Sequence, residues 1–155
     1  YIASGRYLWL EHYPSDRPDH VLNAHLHSLI GLYEYWQHTR SAEARQLLEG
    51  ALTTMRDRAG LYRREGKVSI YGIHSRTNHY KYHQIHIWQL RLLGRMTGDA
   101  WFTELADTMA ADRGPKRDVP GKPVESRMRA VPSRAPQSER IAHYPLVAPA
   151  LERAA

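Results

Sequence analysis

Histidine and tyrosine carry most of the proton chemistry open to this chain. Ten of each occur in 155 residues, and nine of the histidines precede residue 112. Imidazole changes charge near neutral pH and ligates metals. Tyrosine, with a reference pKa of ~10, serves as an acid or a base once a nearby cation lowers it. His79, His83 and His86 lie four and three residues apart, which places their side chains on one helix face. Zinc needs a third ligand and a defined second shell, and the chain contains no His-Glu-x-x-His run. The sequence therefore predicts no metal; a polar cleft lined by imidazoles explains these residues more simply. A tyrosine in a helical core is ordinarily a packing residue with its hydroxyl at the rim.

Other chemistries fall away on composition and motif. Cysteine is absent, which removes disulfides, thiolate metal sites and a cysteine nucleophile. No glycine loop suited to cradling phosphate and no serine-nucleophile elbow are present. No apolar run approaches the ~18 to 20 residues that span a bilayer. The formal charge is +6, of which +4 lies beyond residue 111. That surplus suits an anionic partner, although a solvated basic extension is the plainer explanation.

These residues must be positioned by helices. After Pro14 and Pro18, Asp19 is placed to cap a helix over 21–37, where Val21, Leu22, Leu26, Leu29, Ile30, Leu32, Tyr33 and Trp36 cover most of the circumference. Ser41 caps a second helix with one apolar stripe, Ala44, Leu47, Leu48, Ala51, Leu52 and Met55, and Gly60 stops it. Residues 61–73 alternate around Glu65-Gly66-Lys67 and predict a short hairpin. A third helix over 80–97 is apolar on most sides through Ile85, Ile87, Trp88, Leu90, Leu92 and Leu93. Asp99 caps a fourth, whose inner stripe is Trp101, Phe102, Leu105, Ala106 and Met109. The expected fold is all-α, with helices alternately buried and outer. Two concentric helical layers, as in part of an (α/α) toroid, produce that order, and so does a plain bundle or solenoid.

Residues 1–111 are expected to form this helical domain. Seven of the nine prolines fall in 112–155 among Arg, Ser and Ala. That composition predicts a disordered basic tail, with a short helix over 146–153 as its one candidate element. The chain opens at Tyr1, and we read it as a piece of a longer protein.

Two segments carry a family resemblance. The first is Trp9-Leu10-Glu11-His12-Tyr13-Pro14, followed by Val21-Leu22-Asn23-Ala24-His25-Leu26-His27-Ser28-Leu29-Ile30-Gly31-Leu32-Tyr33-Glu34. The second is Tyr82-His83-Gln84-Ile85-His86-Ile87-Trp88-Gln89-Leu90, with Leu61-Tyr62 and Ser69-Ile70-Tyr71 between them. In order and spacing these resemble the C-terminal domain of D-glucuronyl C5-epimerases, with its Glu-Glu-Tyr-Pro, Val-Leu-Asn-Gly, Ser-Leu-Ile-Gly-Leu-Tyr-Asp and Tyr-His-x-x-His-Ile-x-Gln-Leu. Three departures stand out: His12 replaces a glutamate, Ala24-His25 replaces Gly-Phe, and His74 and Arg76 stand where an arginine three residues after Tyr71 is expected.

The resemblance implies an isomerase that inverts C5 of a uronic acid within an acidic polysaccharide, of the D-glucuronate to L-iduronate type acting on heparan sulfate-like glycosaminoglycans. It implies no dissociable cofactor and suggests a homodimer; no nucleic acid partner is expected. Such a reaction removes the proton beside a carboxylate and returns one to the opposite face, so the anion must be neutralised and two proton-handling groups must flank C5. Tyr13, Tyr71 and Tyr82 match positions of functional tyrosines in the family. Tyr13 and Tyr82 are the expected catalytic pair, with Glu11 or His12 as a base beside Tyr13. Tyr71, Asn23, His74, Arg76, His83 and His86 are the expected substrate-binding residues. Two other readings remain open: a polysaccharide lyase, which abstracts the same proton and then eliminates, and a non-catalytic domain that binds acidic glycan.

Overall fold

The computed structural model describes residues 2–4, 7–13 and 15–112. The Pro-rich segment from residue 113, with the helix expected over 146–153, lies outside them. The chain opens on two antiparallel strands, β1 (Ile2–Ser4) and β2 (Tyr7–Trp9), with Ile2 opposite Trp9 and Ser4 opposite Tyr7. Four helices follow: α1 (Leu22–Thr39), α2 (Ala42–Arg58), α3 (Tyr80–Thr97) and α4 (Ala100–Ala111). The helices agree with the sequence expectation. The strands were not expected, and at three residues each they are too short to show a period.

Helix α1 starts at Leu22 without a side-chain cap. Asp19, expected to cap it, instead turns its carboxylate to Ser75 on a distant loop, at 2.7 Å from both the Ser75 N–H and hydroxyl. The buried face of α1 is Leu22, Ala24, His25, Leu26, Leu29, Ile30, Tyr33 and Trp36. His25 belongs to this face because both ring nitrogens are satisfied. Nδ1 accepts from Leu10 N–H at 3.0 Å and Nε2 lies 3.1 Å from the Ala51 carbonyl. Burial lowers its pKa to about 3, so the ring is neutral.

Ser41 caps α2 as expected, accepting from Ala44 N–H at 3.2 Å. Ala44, Leu48, Ala51, Leu52 and Met55 are buried along its stripe. The helix ends at Arg58, and the chain tightens through a 3-10 turn at Ala59–Leu61 that includes Gly60. The expected excursion follows. Tyr62 accepts from Ile70 N–H at 2.9 Å, and an Arg64–Lys67 bridge closes the turn at Gly66, whose φ is 66°. Asp112 pins this turn from the end of α4, accepting from Gly66 N–H at 3.0 Å and pairing with Arg63 at 2.6 Å. The Arg63 guanidinium and Gly66 N–H hold the Asp112 carboxyl below its ordinary pKa. Asp112 thus packs with the helical domain.

The buried face of α3 differs from the expected one. His83, His86, Ile87, Gln89, Leu90, Leu93, Gly94 and Thr97 are buried, whereas Trp88 is 40% exposed. Polar side chains occupy the inner stripe because each finds a partner there, and the indole takes the outer side. Asp99 caps α4 as expected, accepting from Trp101 N–H at 3.1 Å, and Phe102, Ala106 and Met109 face inward. Gly94 lets α4 approach closely, since a Cβ at that position would meet the Thr103 hydroxyl.

Helix α1 packs between α2 and α3, α4 covers α3, and β2 lies on α2. One core runs through all of them, from Leu22, Leu26 and Leu29 to Leu48, Leu52 and Met55 on one side and Leu90, Leu93, Phe102 and Met109 on the other. Each such side chain, fully buried, contributes roughly 1.5–3 kcal/mol. Among the described residues no helix is long and apolar enough to cross a membrane.

Candidate active site

The segment before α1 and the loop before α3 meet at one end of the bundle. Val21 and Gly72 form an antiparallel bridge; Tyr71 carbonyl accepts from Leu22 N–H at 2.9 Å and Asp19 carbonyl accepts from Ile73 N–H at 2.8 Å. The loop is closed on itself by Tyr71 N–H to the Thr77 carbonyl at 2.7 Å and Arg76 N–H to the Gly72 carbonyl at 3.0 Å. A side chain at position 72 would overlap the Asp19 carboxylate where it holds Ser75, so glycine lets the two segments cross with that carboxylate in place. The contacts bring residues some 50 positions apart in sequence to a common surface.

Tyr71 and Tyr82 lie side by side there, ring centroids 4.4 Å apart and planes tilted 52°. The Tyr71 pKa is raised, first by partial burial and then by the neighbouring Tyr82, with Tyr13 and Asp19 adding to it. Sequence reasoning expected cations to lower a tyrosine pKa at this site. Its neighbours here are phenols and a carboxylate, so Tyr71 keeps its proton. Tyr13 is 69% exposed and packs edge-on against His12 at 4.0 Å. The structure therefore brings Tyr13 within electrostatic reach of the pair.

Glu11 is turned inward. Its side chain is 7% exposed, with Oε2 at 3.0 Å from His20 Nδ1 and 3.1 Å from His20 N–H. Oε1 lies 3.5 Å from Val21 N–H at the start of α1, where negative charge is favoured. Glu11 thus holds His20 and the helix start. His20 was not among the expected residues; it has φ 52°, an uncommon left-handed conformation outside glycine, and its ring lies 5.6 Å from that of His74. A histidine directly preceding a helix and nine residues after a glutamate offers no sequence signal for such a pair.

His20 and His74 line a pocket of about 250 Å³ with Tyr7, Trp9, Thr54, Arg58 and Ile73. Trp9 forms its wall, stacked on His25 at 4.0 Å and on Tyr62 at 5.6 Å. The Tyr62 hydroxyl donates to the His20 carbonyl. Burial, then Glu11 and Asp19, raise the Tyr62 pKa strongly, so this phenol remains a donor.

The remaining expected residues occupy different surroundings. His83 and His86 are both fully buried rather than lining an open cleft. Their Nδ1 atoms converge on Ser69: His83 Nδ1 accepts from Ser69 N–H at 3.0 Å and His86 Nδ1 lies 2.8 Å from Ser69 Oγ. Burial, reinforced by His83, lowers the His86 pKa to about 3. The two imidazoles therefore anchor the strand-like segment that carries Tyr71 onto α3. Asn23 is half-buried; Gln89 donates to its carbonyl at 2.9 Å, and its Oδ1 is buried without a partner among the described residues. Arg76 is exposed on the loop with φ 51°.

The sum is a surface where two phenols touch, a third lies close, and a cationic pocket opens on the same loop. Comparison with known proteins adds to this geometry. A family model described as D-glucuronyl C5-epimerase C-terminus matches residues 2–110. No solved structure matches the chain. With the match covering both strands and nearly all of the helical domain, the chain belongs to the D-glucuronyl C5-epimerase C-terminus family.

Proposed function

We propose that this chain supplies the proton-transfer end of a uronate C5-epimerase, converting D-glucuronate to L-iduronate units within an acidic polysaccharide without a dissociable cofactor. The observation that carries the reading is the Tyr71–Tyr82 pair, 4.4 Å apart on a surface formed by two distant segments. Tyr71 keeps its proton, so its hydroxyl can donate to the Tyr82 oxygen when Tyr82 acts as a base. Tyr82 enters the step as its phenolate, stabilised by the Tyr71 hydroxyl, and takes the C5 proton from one face of the sugar to become the neutral phenol. Electrons from the broken C5–H bond move into the carboxylate to give an enediolate, which His74 and Arg76 neutralise; Tyr13, beside His12, returns a proton to the opposite face. Glu11 orients the Tyr13 segment through His20. His83, His86 and Asn23 shape the floor. Within the whole enzyme, residues 1–112 form one sector of an (α/α) toroid, the Pro-rich sequence that follows is a basic extension, and the protein is a homodimer.

Incubation of the protein with a glucuronate-containing polymer in heavy water tests this. Deuterium should appear at C5 of both epimers. Tyr82→Phe removes only a hydroxyl and should lower exchange by ~10²-fold or more, the scale for losing a positioned acid or base; Tyr13→Phe should do likewise. Undiminished exchange in both variants would overturn the roles. Appearance of an unsaturated uronate absorbing in the near ultraviolet would make the protein a lyase. Binding of the polymer with no exchange at C5 would make the chain a glycan-binding domain.

A further inference from the structure

We infer that the pocket around Arg58 binds one anionic sugar unit of the substrate chain, with the Arg58 guanidinium gripping its acid group; this rests on the polysaccharide reading above and adds a subsite to it. Neither Arg58 nor Tyr7 is among the residues carrying the proton transfer. Four observations point to the pocket.

The first is the state of Arg58. Its guanidinium carbon lies 3.7 Å from the centroid of the Tyr7 ring, and among the described residues it pairs with no carboxylate. Stacking on a ring face fixes the plane of the fork while its N–H edges stay available, the arrangement suited to bidentate recognition of an oxyanion. Among the described residues, four other arginines spend their charge on carboxylates: Arg45 on Glu49, Arg56 on Asp99, Arg63 on Asp112 and Arg91 on Asp107.

The second is the company it keeps. His20 and His74 line the same pocket, with rings 5.6 Å apart, and among the described residues the one acid ion-paired to a lining residue is Glu11, on His20. The third is the aromatic lining, Tyr7 and Trp9, with Ile73 beside them. Flat apolar faces with a few convergent polar groups are the ordinary lining of a small-molecule site, and here they suit the C–H face of a pyranose. Trp9 Nε1 is buried without a hydrogen-bond partner among the described residues. The fourth is size. About 250 Å³ lies below the ~300–1,000 Å³ of sites for drug-sized ligands, which suits one sugar ring rather than a run of several. Ile73 and His74 lie two and three residues after Tyr71, which ties the pocket to the loop that carries one of the tyrosines.

The acid group is a carboxylate or a sulfate, and the two are separable. Titration calorimetry of the protein would use three oligosaccharides of equal length: one carboxylated and unsulfated, one sulfated with its carboxyls reduced, and one with neither group. The wild type should bind at least one acidic sugar well above the neutral one. Arg58→Gln should weaken that binding ~10-fold or more, the scale of a lost charge-assisted hydrogen bond, and leave the neutral sugar unchanged. The arm that weakens names the acid. Equal affinity of the wild type for all three, or unchanged acidic binding by folded Arg58→Gln, would overturn the subsite. Should circular dichroism show that variant unfolded, Arg58→Lys, which keeps the charge and stem but loses the planar fork, decides by the same criterion. Unchanged binding by Arg58→Gln alongside loss of exchange in Tyr82→Phe removes the subsite alone. Binding lost in Arg58→Gln, with no C5 exchange in the wild type, keeps the subsite and removes the epimerase.

Discussion

Asp19 and Ser75, 56 residues apart, are joined twice: the carboxylate accepts from the Ser75 N–H and from its hydroxyl, each at 2.7 Å. The pair ties the entry of α1 to the loop that carries Tyr71, Ile73 and His74. Asp19→Ala should lower stability by about 1–3 kcal/mol, the range for hydrogen bonds to a charged group. Deuterium exchange at C5 should fall further than the stability loss explains, because the loop loses its register. Urea unfolding beside the C5 assay checks both; unchanged values in each would show that the loop is held by its backbone bonds alone.

Gly72 sits where a Cβ would overlap the Asp19 carboxylate. Gly72→Ala should therefore destabilise by about 1–3 kcal/mol, the range for forcing extra volume into a packed site. Asp19→Ala should relieve much of that cost, since it removes the obstructing group. A double-mutant cycle measures the coupling, and strict additivity would mean that the backbone moves rather than the carboxylate.

His25 and His86 are both held neutral, each with a pKa lowered by burial to about 3. In the unfolded chain they titrate near 6.5. Between these values the unfolded state binds more protons, so stability falls as pH drops from about 6.5 toward 3. Each ring contributes up to ~1.4 kcal/mol per pH unit and no slope above 6.5. The charge neighbours are His20 for His25 and His83 for His86. Chemical denaturation at pH 7.5, 6 and 5 reads the slope, and His86→Gln should make it shallower.

Ser69 is the single hydroxyl shared by two buried imidazoles, His83 at 3.0 Å and His86 at 2.8 Å. Ser69→Ala leaves His86 Nδ1 without that partner and should cost about 1–3 kcal/mol, the penalty for a buried polar atom without a hydrogen bond. If these histidines act by positioning, the variant should lower the C5 exchange rate with little change in affinity for a carboxylated oligosaccharide. A loss of affinity with the rate intact would instead put them against substrate.

The helices were legible because their signals are local. Ser41 and Asp99 cap where their types predict, and Ala44, Leu48, Ala51, Leu52 and Met55 keep one stripe. Asp19 was misread because a carboxylate three residues before a helix has the same sequence appearance whether it bonds the helix or a loop 56 residues away. The inward face of α3 was misread for a related reason. Hydrophobicity favours Trp88 over His83, His86 and Gln89, yet Ser69 and the Asn23 carbonyl supply the partners that make those polar side chains cheap to bury. The tyrosines came from motif similarity, and their mutual distance is a tertiary fact. His20 and Arg58 could not be singled out, because their significance lies in Glu11, Tyr7 and the pocket between them.

The His25 ring accepts a hydrogen bond at Nδ1 from the Leu10 N–H and faces the Ala51 carbonyl through Nε2, so the neutral form carries its hydrogen on Nε2. Such a hydrogen, sealed from water, exchanges slowly and resonates apart from the amide envelope. Trp9 stacks on the same ring at 4.0 Å and also walls the Arg58 pocket. The molecule therefore contains a built-in spectroscopic sensor. Movement of Trp9 on occupation of the proposed subsite should shift the His25 Nε2–H resonance, which would read binding without any added label.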